Sequence, residues 1–312
     1  MSPRDRFQYD VATGRWTLPV ASLVALAAWT LMSGSLQADW GALLCAAAMS
    51  YLLVELNTQF MLIRTRTVLP SCMYLCLFAS IPFLHQWSVA CLLPVFFVCM
   101  LFAFFRSYES YHASVTIFHA FFFLGLCSLV YPPVSWLFPL LFLHMVFLRS
   151  FNAKTFFAGF IGMLVPYWLI LGYGLFVGNF DVFERAVLAP FGWEAPRYAD
   201  ISLQQGVAYG TALLLFVAYV AFYSLSAYRD KVQTRILLKT MIWMGAWGWG
   251  LLALRPQDGQ QLLPVIFVPI AFLVGRLYAL SFGLYVRISF YVTLALVFSL
   301  FLFGLWMRLF NF

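Results

Sequence analysis

Residues 262–280 read LLPVIFVPIAFLVGRLYAL, nineteen positions with a single charged side chain, Arg276. A helix rising about 1.5 Å per residue needs roughly 20 apolar positions to cross a hydrocarbon layer about 30 Å thick. This run has that length and that character. Similar runs lie at residues 16–33, 40–56, 67–85, 87–105, 112–130, 133–148, 156–177, 207–225, 236–254 and 288–306. Together they predict an all-α integral membrane protein, a compact bundle of about eleven transmembrane helices.

Composition agrees. Of 312 residues 64% are hydrophobic and 9% are charged, where soluble domains carry roughly a quarter charged residues. No aqueous fold hides that much apolar surface. A formal charge of +7 raises nucleic acid as a partner, but the basic residues stand in ones and twos at helix ends instead of forming a stripe. They read as topology signals. Eleven crossings with a cytoplasmic N-terminus place Arg64, Arg66, Arg106, Arg149, Lys154, Arg229, Lys231, Arg235, Lys239, Arg276 and Arg287 inside. Arg185, Arg197, Arg255 and Arg308 fall outside, as does the C-terminus. Short internal loops collect Lys and Arg, so the asymmetry supports count and orientation together. Residues 1–15 mix acids with Arg4, Arg6 and Arg15, and no small-x-small cleavage site follows the first apolar run at a convincing distance. An uncleaved anchor is expected.

The expected organisation is a single polytopic domain over residues 1–312, with tight connections and one longer external loop at residues 178–204. That loop interleaves Asp181, Glu184, Arg185, Glu194, Arg197 and Asp200 with Phe180, Phe183, Phe191, Trp193 and Tyr198. Such mixing suits a segment at the membrane surface, with a short amphipathic helix over residues 180–188. All six cysteines fall inside predicted helices, where cysteine behaves as a small hydrophobe. Cys72 and Cys76 share a helix face without His or carboxylate company, so neither a metal site nor a cofactor is expected.

Three groups of residues can carry chemistry. His119 lies 13 residues before Pro132 and His144 lies 12 after it, which puts two imidazoles at similar depth on a hairpin. They suit a proton relay titrating near neutrality, or two neutral histidines bonded to backbone. Arg64 and Arg66 flank Thr65 at the mouth of the third helix, near Glu55 and Asn57. Two guanidiniums there can clamp a phosphate or lipid headgroup; orienting charges and ion pairs are the simpler reading. Asp39, Asp181 and Glu184 are candidate catalytic acids near the outer surface, with Arg185 and Arg197 to bind a pyrophosphate. Capping, loop ion pairs and interfacial anchoring compete with that role.

The pattern N-x-x-x-x-x-x-R-T-R-T-x-L-P runs from Asn57 to Pro70. Tyr131-Pro132-Pro133, Leu148-Arg149-Ser150-Phe151-Asn152 and the run GFIGMLVPY at 159–167 follow it. This middle third resembles an uncharacterised family of polytopic inner-membrane proteins from Gram-negative bacteria. The resemblance implies a bacterial inner-membrane location and an envelope role, with no activity to carry over. More distantly the same stretch looks like the membrane portion of multi-spanning glycosyltransferases that use lipid-linked sugars. Those enzymes place a catalytic acid in a long first external loop, where this chain has only Asp39 in a turn of a few residues. Three functions remain open: an assembly or scaffold subunit, an envelope enzyme acting on a lipid-linked glycan, and a transporter or flippase. The expected partners are membrane lipids, a lipid-linked glycan or an envelope protein.

Overall fold

The computed structural model describes residues 10–33, 40–110, 112–192, 195–281 and 283–309. Twelve α-helices of eight or more residues occur among them, and no strand. They are α1 (Thr17–Ser33), α2 (Trp40–Phe60), α3 (Leu69–Ala79), α4 (Leu93–Phe105), α5 (Ser114–Val130) and α6 (Leu137–Phe147). The rest are α7 (Ala153–Val177), α8 (Asp181–Leu188), α9 (Leu203–Ser226), α10 (Val232–Leu254), α11 (Gly259–Leu280) and α12 (Leu284–Leu309).

Six of these, α2, α7 and α9 to α12, are long and apolar enough to cross a membrane. Five further apolar helices are shorter than 18 residues, and proline accounts for much of the difference. The segment expected at 67–85 is α-helical only over Leu69–Ala79 and continues as a 3-10 turn at Pro82–Leu84. Pro82 has no N–H to give, and its ring excludes the carbonyl four residues earlier. Ile81 before it is extended, with φ −120° and ψ 101°, as residues preceding proline prefer. Pro94 and Pro132 act alike: 3-10 turns at Val89–Leu92 and Pro132–Trp136 precede α4 and α6.

The helices group into two compact units. The first contains α1 to α3 and α9 to α12, less the last residues of α10, and it is organised round α11. Every residue from 262 to 279 is buried. Proline rings seat on glycines to bring its neighbours close. A Cβ on Gly275 would lie 2.8 Å from Pro70 Cδ of α3, and one on Gly245 of α10 would lie 2.7 Å from Pro269 Cγ of α11. Both distances are too short for a side chain, so these crossings need glycine. Trp29 of α1 stacks on His85, ring centroids 3.8 Å apart, and ties α1 to the chain leaving α3.

Burying α11 also buries Arg276. Its Nε donates to Asp230 Oδ2 at 2.7 Å, Nη2 lies 2.6 Å from the same oxygen, and Nη1 donates to Ser226 Oγ at 2.9 Å. The guanidinium carbon also stands 4.9 Å from the centroid of the Tyr223 ring. The two ionic side chains are 5% and 3% exposed. Low exposure raises the desolvation cost, and only a complete set of partners offsets it.

The second unit contains α4 to α8 and residues Ala253–Arg255. Here α5 packs between α4 and α7. Gly125 admits the Pro166 ring of α7, whose Cγ would sit 2.8 Å from an added Cβ. Phe121, Phe138, Phe142 and Phe156 form a ring cluster, with Phe142 4.7 Å from Phe121 and 4.9 Å from Phe156. Such offset and edge-on contacts add about 0.5–1.5 kcal/mol each beyond area burial.

The buried pair yields a test. Asp230→Ala leaves Arg276 buried without its counter-charge, a loss of about 3–5 kcal/mol. Thermal unfolding in detergent should show a clearly lowered midpoint for this variant. The double change Asp230→Leu with Arg276→Met should recover most of it. A double variant as unstable as the single one would contradict the assignment.

Candidate functional site

The motif from Asn57 to Pro70 is first a structural device. Asn57 is buried near the end of α2; its Oδ1 accepts from Ile63 N at 3.0 Å and its Nδ2 donates to Thr67 O at 3.3 Å. Met61 between them adopts φ 48°. Thr67 Oγ1 then accepts from Leu69 N at 3.2 Å, and Pro70 opens α3. One amide thus closes the whole turn and holds Arg64 and Arg66 outward, both exposed. Arg64 spends a donor on the carbonyl of Arg229, in the connection that also carries Asp230. Replacing Asn57 with Ala removes two buried hydrogen bonds, about 1–3 kcal/mol. Limited proteolysis at the 61–67 turn should accelerate in that variant, and unchanged cleavage would refute the role.

The two histidines do not meet. His144 is buried, with Nδ1 2.8 Å from Leu140 O of its own helix, and its Nε2 has no hydrogen-bond partner among the described residues. His119 is exposed, edge-on to Phe118 at 5.7 Å. Similar depth is not a shared face. At the adjoining connection Glu109 and Arg149 take φ 52° and 55° and pair at 3.3 Å through exposed side chains. A pair so open to solvent is worth at most about 1 kcal/mol.

Asp181, Glu184 and Arg185 are exposed on α8, the surface helix foreseen at 180–188, while Phe183, Ala186 and Val187 are half-buried. Trp136 Nε1 donates to Pro190 O at 3.1 Å and Arg255 donates to the Gly192 carbonyl, which fasten the chain just after α8. Arg197 is exposed. Asp39, Glu194 and Trp193 lie outside the described residues. No group of three or more His, Cys, Asp or Glu placed to hold a metal ion occurs among the described residues.

The first unit does hold a cavity. A groove of about 930 Å³ runs between α1, α3, α11 and α12, at the large end of the roughly 300–1,000 Å³ typical of small-molecule sites. Ala21, Ala25 and Ala28 of α1 follow one another on one helix face and leave it room, opposite Cys72, Met73 and Cys76 of α3. Val24 and Leu31 of α1 and Leu294 and Phe298 of α12 line it and are also exposed, so it opens to the side. Tyr278 and Thr293 in its wall are neutralised internally. Thr293 Oγ1 lies 2.5 Å from Tyr219 Oη and 2.9 Å from Tyr278 Oη, the two phenols touch, and Thr293 donates to Ser289 O at 2.9 Å. Its hydroxyls satisfied, the wall presents hydrocarbon. Among the described residues, the charged side chains lining the groove are Asp10 and Arg15, both preceding α1, beside Trp16.

Reading the chain in one dimension missed the groove, the hydroxyl cluster and the Arg276–Asp230 pair. A sign of the pair was present in Arg276, a lone charge five residues inside the end of an apolar run. No family model, curated protein or solved structure matches this chain.

Proposed function

We propose that this chain is a multi-pass protein of the bacterial inner membrane that serves cell-envelope biogenesis as a non-catalytic assembly or scaffold subunit, and that it holds membrane lipid in its lateral groove. The observation that carries the reading is the groove itself: predominantly apolar, open sideways between α1 and α12, and, among the described residues, charged before the start of α1. A cleft of that polarity in a bilayer takes hydrocarbon chains, because among the described residues its wall beyond the start of α1 offers no unsatisfied polar group to anything else. The six long and five shorter apolar helices follow the order of the segments read from the sequence, and the excess of Lys and Arg in alternate connections supports a cytoplasmic N-terminus. On that topology the charged end of the groove faces the cytoplasm.

The enzymatic and transport readings draw less support. Asp181 and Glu184 stand exposed and line no part of the groove. His119 and His144 share no hydrogen bond through which a proton could pass between them.

Filling the groove tests the proposal. Ala21→Trp with Ala28→Trp should leave a folded, monodisperse protein that retains less than half of the wild-type phospholipid after detergent extraction, counted by native mass spectrometry. Equal retention would overturn the lipid-holding role. For the scaffold role, affinity purification in mild detergent should recover one partner in fixed stoichiometry. A chain isolated alone from every detergent tried would contradict it.

A further inference from the structure

The groove has two chemically different ends, and among the described residues the charged end carries one acid and one base. Asp10 and Arg15 are separated by four residues, both are exposed, and both line the cavity. The segment bearing them is held in place: Thr17 Oγ1 donates to Val11 O at 2.9 Å, bending the chain back just before α1. Any side chain at Gly14 would collide with the Asp10 carbonyl and with Thr17 Oγ1, the latter 2.9 Å from an added Cβ. Yet the two charges form no ion pair with each other, since the ion pairs found among the described residues are Arg149–Glu109 and Arg276–Asp230. Trp16, 77% exposed, follows Arg15 in the chain and also lines the groove, and tryptophan is enriched at membrane interfaces.

Resting on the reading of the groove as a lipid site, we propose that its occupant is a zwitterionic phospholipid with a primary-amine headgroup, its acyl chains in the groove, its phosphate on Arg15 and its ammonium on Asp10. Charge complementarity selects this class. A guanidinium binds a phosphate through two parallel N–H donors. A carboxylate nearby then repels a second negative charge and accepts N–H bonds from an ammonium. A quaternary ammonium has no N–H to donate, so a choline headgroup meets the acid less well, and a glycerol headgroup leaves it without a cation.

Nanodiscs containing phosphatidylethanolamine, phosphatidylcholine and phosphatidylglycerol in equal amounts give the test, with the lipid retained on the full chain identified by native mass spectrometry. The wild type should retain phosphatidylethanolamine several-fold over the other two. Asp10→Lys should shift retention toward phosphatidylglycerol at unchanged total lipid, and Arg15→Glu should lower retention of all three. Because both side chains are exposed, neither change threatens folding, and a size-exclusion profile verifies this. If the wild type retains the three lipids equally while Ala21→Trp with Ala28→Trp still empties the groove, headgroup selection is wrong and the lipid groove stands. If the tryptophan pair changes nothing, both fall.

Discussion

A helix buried on every side cannot carry a charge without a partner, and α11 carries Arg276. The first unit is arranged to meet that requirement. Asp230 comes from the connection between α9 and α10, Ser226 from the end of α9, and the Tyr223 ring from one turn before it. Satisfying one guanidinium therefore fixes how α9, its following connection and α11 sit together. The turn begun by Asn57 joins the same region through Arg64, which reaches the carbonyl of Arg229 next to Asp230. Loss of one partner leaves the other charge buried and uncompensated, which is why it costs far more than replacing both.

Close approach of helices depends on a second device. Four proline rings lie against glycines, Pro70 on Gly275, Pro269 on Gly245, Pro82 on Gly304 and Pro166 on Gly125. In lipid the surroundings are as apolar as the side chains, so helices associate through tight packing and hydrogen bonds more than through hydrophobic burial. A ring seated where a Cβ is missing gives such packing. Prolines also bound helices: Pro82 follows the end of α3 and Pro132 opens the turn before α6, so α3 and α6 have 11 residues each where longer spans are expected.

The groove results from packing that is deliberately incomplete on one side. Alanines at 21, 25 and 28 keep α1 slim where it faces α3, and the cysteines of α3 add little bulk. Tyr219, Tyr278 and Thr293 use their hydroxyls on one another, which removes polarity from a wall that three hydroxyls would otherwise make wet. Cys72 and Cys76, alike on one helix face, thus serve as small apolar lining, in keeping with their reading as hydrophobes.

The sequence alone determined the helical class and supplied the apolar runs, six of them in helices long enough to cross a membrane. Long uncharged runs demand lipid, proline positions bound the shorter helices, and the mixed aromatic and charged stretch after residue 178 predicts the surface helix α8. These are local properties of composition, legible wherever they occur. What only the tertiary structure decided is which apolar face packs against protein and which stays exposed. Both faces of a membrane helix are hydrophobic, so no amphipathic period marks α11 as the buried helix, sets His119 outward and His144 inward, or locates the groove. Asp230 and Arg276 lie 46 residues apart, and Asn57 acts on Thr67 across a turn. Pairings over such separations are fixed by the geometry of packed helices, in which a buried charge must find its partner, and not by any pattern along the chain.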